Sequence, residues 1–233
     1  VMYGINGEEN LEEKVLDHLD GYEGSRPVRV GNAAYKQQQN DVYGQLIETI
    51  YTSFVVDFRD DVLWNEEVWK IVRSLAKMVE AKWREPDCGI WERRGPMQHF
   101  VHSKMMSWVA MDRAAKIAQF IGKTQYIPKY LKVAGEIKED ILKNGWDDEL
   151  KSFVMYYGGK ELDASNLLML HYGFLDKNDP RMISTVRNTH KELTKDGFVL
   201  RYKAADEFGV PRNAFIVCTF WMINALYLTG QEQ

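Results

Sequence analysis

The apolar positions of this 233-residue chain recur mostly at helical spacing. The pattern is cleanest over residues 65–83, where Val68, Ile71, Val72, Leu75, Val79 and Trp83 follow one another at three- and four-residue steps along one helix face. A second long pattern runs over 33–58 through Val42, Leu46, Ile47, Ile50, Phe54 and Val55. Asn32 is placed to cap it, because an Asn side chain can accept from the free N–H groups of a first turn. Further helices are predicted over 101–121, 127–143, 164–172, 180–193 and 213–229. Another is predicted over 8–18, whose leading acidic residues suit the positive end of a helix dipole. Residues 145–160 read as a turn with short extended strands, and 196–202 as extended. The most apolar stretch, 214–228, is too short for a membrane span and contains Asn224, so it reads as a fully buried helix.

Long loops separate these helices, notably GYEGSRPVRVGN (21–32) and REPDCGIWERRGPMQ (84–98). Structureless connections of this length between helices are uncommon and often functional. No repeat of fixed period is visible, which disfavours a solenoid.

Composition narrows the function. A net charge of −4 with no basic stripe gives no reason to expect a nucleic-acid partner, and no segment suggests a membrane. Cys88 and Cys218 stand far apart with no CxxC motif, and His99 and His102 have no third ligand spaced to join them, so neither a metal nor another cofactor is expected. Two unpatterned thiols and an amino terminus unlike a signal peptide point to a cytoplasmic setting.

Chemistry concentrates in the loops. Glu92 lies between Trp91 and the pair Arg93–Arg94; Trp91 and Ile90 would favour its neutral acid form by desolvation, whereas the arginines would favour the carboxylate or simply form a surface ion pair with it. Asp112 and Arg113, within an apolar helix, read as an ion pair bracing neighbouring helices. Asp163, Ser165 and Asn166 read as helix-start residues. Arg201 and Tyr202 could fork hydrogen bonds to sugar hydroxyls and stack on a sugar face, with Asp206 or Glu207 as a partner carboxylate. Asp41 and Tyr43 stand beside Gly44, whose place in a helix suggests a close approach by another element.

Taken together, NDVYGQL, PDCGIWERRGPMQHFVHSKMMSWVAMDRAAKIA, GWDDELKSFVMYYGGKELDASNLL and the FVLRY-to-AFIVCTFWMINALYLTG region resemble glycoside hydrolase family 15, the bacterial and archaeal glucoamylase and trehalase group. The resemblance implies an all-α fold, an (α/α)6 toroid, with residues 1–233 forming part of a single catalytic domain. It implies an inverting, exo-acting α-glucosidase of glucoamylase type acting on α-linked gluco-oligosaccharides; a trehalase, or a non-catalytic glucoamylase-like binding module, is the alternative. The family's proton donor falls on Glu92, with Trp91, Arg93, Arg201, Tyr202, Asp41 and Tyr43 as substrate-binding residues. The upstream WPRD-like and downstream SEE-like segments of the family have no counterpart here. The expectation is therefore an incomplete toroid, partnered by the missing parts of the same enzyme. Such a chain should expose an unusual apolar surface, and its general base is not identifiable; Asp206, Glu207 and Asp163 are the loop carboxylates available.

Overall fold

The structure, a computed structural model, describes residues 3–56, 62–206 and 209–231, with the side chains of 55, 56 and 62–64 left aside. Helices dominate: α1 (Val42–Val56), α2 (Val62–Lys82), α3 (Val101–Phe120), α4 (Ile127–Asn144), the short α5 (Leu168–His171), α6 (Pro180–Leu193) and α7 (Ile216–Leu228). Among the described residues there are also three antiparallel pairs of two-residue strands: β1 (Lys14–Val15) with β2 (Arg29–Val30), β3 (Trp146–Asp147) with β4 (Ser152–Phe153), and β5 (Thr194–Lys195) with β6 (Phe198–Val199).

Helix α3 is the axis of the packing. Met105, Met106, Val109, Ala110, Met111, Ala114, Ile117 and Ala118 are all removed from solvent, and the helix is covered by α1, α2 and α4. Its alanines let neighbours approach closely. The nearest approach is at Gly44 of α1, where a Cβ would sit 2.1 Å from the Met106 carbonyl oxygen, so the helix-weakening glycine is there for lack of a side chain. Helix α4 follows as the second arm of a hairpin and buries Tyr130, Val133, Ala134, Ile137 and Ile141, a single stripe at helical spacing. Helix α6 starts where the sequence says it should: the Asp179 side chain accepts from the Arg181 N–H at 2.9 Å, and Pro180 occupies the first turn.

Several expectations are corrected. Residues 8–18 form no helix; the segment is extended and pairs through β1 with β2. Val15 and, just beyond the segment, Leu19 are 48% and 42% exposed, and a short helix without tertiary packing of its apolar face is unstable in water. Glu13 instead binds Arg94 and Arg29. The 33–58 helix is broken: Asn32 caps only a 3-10 turn over Ala33–Lys36, accepting from Ala34 N–H at 2.9 Å, and the chain runs extended to α1. Residues 57 and 58 and the Val55 side chain lie outside the described residues. On α2 the buried face is Trp69, Val72, Ala76 and Val79, with Trp83 buried just beyond its end, whereas Ile71 is 52% exposed.

Helix α7 is not fully buried. Cys218, Met222 and Ala225 face the protein, but Phe220 and Tyr227 are 61% and 69% exposed, with Phe215, Ile216 and Ile223 beside them. A helix apolar on all sides needs cover all round, and the described residues supply it on one side. The expected apolar surface is thus present. Among the described residues, no helix is long and apolar enough to cross a membrane, and both Cys88 and Cys218 are free and buried.

Candidate active site

The loop between α2 and α3 is closed at its base. Asp87 and Gln98 exchange backbone hydrogen bonds, each 2.9 Å, so residues 88–97 project as one unit. Gly89 has φ +68°, and a Cβ on it would meet the Phe100 ring at 2.8 Å; both conditions select glycine. At the tip Glu92 has φ +53°, the left-handed region that a residue with a side chain seldom occupies without compensating contacts.

Trp91 is the loop's anchor. Its indole N–H donates to both oxygens of Asp163, at 3.0 and 2.9 Å, and its ring lies 6.2 Å from each of Tyr202, Phe215 and Trp221. The Arg201 guanidinium sits over Trp91 at 5.7 Å and over Tyr202 at 5.5 Å. The Arg93 guanidinium lies 5.6 Å from the Tyr202 ring and donates to the Ala205 carbonyl at 2.9 Å. Tyr202 is 1% exposed, and its hydroxyl donates to Asp206 at 2.8 Å. A cavity of about 490 Å³ opens beside Arg201 and Asp206, walled further by residues 209–213. Four of the expected sugar-binding residues, Trp91, Arg93, Arg201 and Tyr202, therefore form one cluster.

Glu92 differs from its neighbours. It is half-buried, and among the described residues its carboxyl group has no hydrogen-bond or ion-pair partner. The two arginines that follow it point elsewhere: Arg93 to Tyr202 and Ala205, and Arg94 to Glu13 at 2.6 Å. The surface ion pair between Glu92 and an adjacent arginine, which the sequence allows, is not formed.

Asp163 is more than a cap. It accepts from the Ser165 N–H at 2.7 Å, as a helix-start residue should, and it also fixes Trp91. Burial pushes its pKa up to about 6 against the opposing pull of its hydrogen bonds to Ser165 and Trp91 and of the Arg93 charge. With both oxygens engaged by donors and no exposure to water, it is poorly suited to activate a water molecule. Asp206 accepts from Tyr202, and Glu207 lies outside the described residues.

Among the described residues, no hydrogen bond, ion pair or ring contact joins Asp41 or Tyr43 to this cluster. Asp41 is buried at the start of α1, accepts from the Gln45 side chain at 2.8 Å, and is raised to about 6 by burial and then by the nearby charge of Asp87. Tyr43 packs half-buried against the main core. The Asp112–Arg113 expectation holds: Arg113 on α3 pairs with Asp112 and with Glu48 of α1, at 2.6 Å to Glu48, and donates to the Tyr172 carbonyl at 2.9 Å. His99 stacks on Tyr157 at 5.7 Å, and buried His102 is pushed down to about 4 by desolvation.

The sequence does not single out Phe215, Trp221 or Gln37, nor the Trp91 bond of Asp163. Phe215 and Trp221 sit in an apolar run where nothing marks them from core.

Comparison with known proteins identifies the family. The family model for glycosyl hydrolases family 15 matches residues 1–233, and the chain belongs to that family. It is 42% identical over 234 residues to a trehalase of Mycobacterium tuberculosis, covering 99% of this chain and 34% of that protein. It is 36% identical over 228 residues to a trehalase of Thermoplasma volcanium, covering 97% of this chain and 36% of that protein. The chain thus spans about a third of the length of these curated relatives. Among solved structures, a wild-type glycosidase superposes with a TM-score of 0.72 at 20% identity, over 89% of this chain and 55% of that one. A glycosidase variant solved with glucose gives the same TM-score, identity and coverage. The helical array is accordingly part of the toroid of that fold.

Proposed function

We propose that this chain carries the proton-donating side of an inverting α-glucosidase, and that the substrate of the whole enzyme is trehalose. Residues 1–233 would form part of a single catalytic domain. The observation that carries the reading is the half-buried, unpartnered carboxyl of Glu92, one residue from a Trp91 locked against Asp163, Arg201 and Tyr202. A general acid needs a proton at neutral pH and a route to its oxygen, so a carboxyl without an arginine partner suits the task better than a paired one. Arg201 and Trp91 offer a guanidinium fork and an aromatic face for a glucosyl ring.

In the proposed reaction the Glu92 proton passes to the glycosidic oxygen as the bond from the anomeric carbon to that oxygen breaks. A water held by a second carboxylate, about 6.5–9.5 Å from the acid in inverting enzymes, attacks the opposite face. No described residue is assigned as that base. The relatives named trehalase, from both bacteria and archaea, favour trehalose over the glucan expected first from the sequence. The free thiols Cys88 and Cys218 support a cytoplasmic setting.

The test is hydrolysis of trehalose, maltose and maltotriose by the complete enzyme, followed by proton NMR at early times. Trehalose should be the best substrate, giving one α- and one β-glucose per event, since only the attacked carbon inverts. Release of α-glucose alone would contradict inversion, and a preference for maltotriose would restore the glucan reading.

A further inference from the structure

We propose that Gln37 is a positioning residue for the proton donor; the inference rests on Glu92 having that role. Gln37 follows the 3-10 turn Ala33–Lys36, and its side-chain amide donates to two consecutive backbone carbonyls at the loop tip, those of Glu92 at 3.1 Å and Arg93 at 3.0 Å. One nitrogen reaches both oxygens only while they converge. Their convergence is set by the backbone of Arg93, and tying both carbonyls to Gln37 pins the peptide that follows Glu92, whose φ of +53° an untethered chain would seldom keep. The amide cannot be turned over without setting its own oxygen against those two carbonyls.

Neighbouring residues hold the loop's stem, not its tip. Gln38 accepts from the Cys88 N–H at 2.9 Å, Gln39 donates to the Gly89 carbonyl at 3.4 Å, and the Asn40 N–H donates to Asp87 at 2.8 Å. Trp91, Arg93 and Arg94 are fixed through their side chains, by Asp163, Ala205 and Glu13. Glu92 has no such side-chain tether, so the direction of its carboxyl follows from its backbone, and that backbone is held by Gln37. Losing the bracket would let Glu92 relax toward an ordinary φ and swing the acid away from the glycosidic oxygen.

The experiment uses the complete enzyme and two substrates that differ in their need for an acid. Trehalose must have its leaving oxygen protonated; α-glucosyl fluoride loses fluoride as its anomeric carbon–fluorine bond breaks, with little help from an acid. In Gln37→Met, which keeps the length and removes the donor, kcat on trehalose should fall by about 10- to 100-fold, the scale of an ångström-level misplacement. KM should change little and turnover of the fluoride should be largely kept. Gln37→Glu keeps the shape and serves if the first variant folds poorly; it should lose trehalose turnover at neutral pH and regain part of it at acid pH, where a neutral carboxyl can donate again. Equal losses on both substrates, or no loss on either, would overturn the proposal. Glu92→Gln is measured alongside. If it separates the two substrates and the Gln37 variants do not, Gln37 is not the positioning residue; if it separates nothing, the donor assignment fails and takes this inference with it.

Discussion

The indole N–H of Trp91 and the carboxylate of Asp163 form a forked hydrogen bond, 3.0 and 2.9 Å long, that ties the loop after α2 to the turn before α5. It joins residues 72 positions apart, and it sets the face of the ring on which Arg201 rests. The bond is charge-assisted and sheltered, with Asp163 buried and Trp91 half-buried, conditions under which leaving the donor unpaired is costly.

Asp163→Ala should therefore destabilise the protein by about 1–3 kcal/mol, combining an unsatisfied, half-buried indole with a lost cap on Ser165. Urea unfolding followed by far-ultraviolet circular dichroism measures it. An unchanged midpoint would mean that the ring is held by packing alone.

A second consequence concerns pH. Asp41 is raised to about 6 in the folded state, chiefly by burial and then by Asp87, whereas an exposed Asp titrates near 4. Because the folded pKa lies above the unfolded one, the stability this group contributes is full below about pH 4 and is lost as pH rises through about 6. Asp41→Asn removes that titration while keeping an acceptor for Gln45. The variant should match the parent near pH 4 and exceed it at pH 7 by at most about 3 kcal/mol, taking ~1.36 kcal/mol per pKa unit. Melting temperatures across pH 4–7 give the comparison; a difference independent of pH would contradict the assignment.

Much of this arrangement is legible in the sequence, for identifiable reasons. Helices α2, α3, α4 and α6 are marked by apolar spacing and, for α6, by Asp179 and Pro180, all local signals. The gathering of Trp91, Arg93, Arg201 and Tyr202 came from resemblance, since no local pattern joins residues a hundred positions apart. What the sequence hides is set by tertiary contact. The acidic 8–18 segment carries the charge of a helix start, yet it is drawn into a hairpin whose Glu13 answers Arg94. The helix expected over 33–58 breaks because residues 37–40 are taken up in bonds to the loop between α2 and α3. The apolar run of α7 signals a buried helix, but hydropathy carries no information on how many sides are covered.

Gly44 offers a sign test of close packing. In an exposed helix, Gly→Ala stabilises by about 1 kcal/mol. Here a Cβ would stand 2.1 Å from the Met106 carbonyl, so α1 and α3 would have to separate. Gly44→Ala should lower stability, by about 1–3 kcal/mol as for other overpacked cores. A gain on thermal unfolding would show that the two helices are not in contact there.

The Arg113 cluster is structural. Its guanidinium answers both Asp112 and Glu48 and bridges α1 to α3. Arg113→Met keeps the bulk but leaves Glu48 without its cation, whereas Asp112 keeps Lys116, and should cost about 1–3 kcal/mol, the scale for stranding a sheltered polar group. In the double variant with Glu48→Gln, part of that loss should be recovered. Additive losses in the cycle would mean that the two side chains do not interact.

The measurement that bears most directly on the account is the turnover of trehalose by the complete enzyme carrying Glu92→Gln, a change of one atom in a carboxyl that has no partner to lose. Glu92 as proton donor predicts a fall in kcat of about 100-fold or more with the melting temperature unchanged. Turnover close to that of the parent would remove Glu92 from the role and with it the proposed chemistry of the loop.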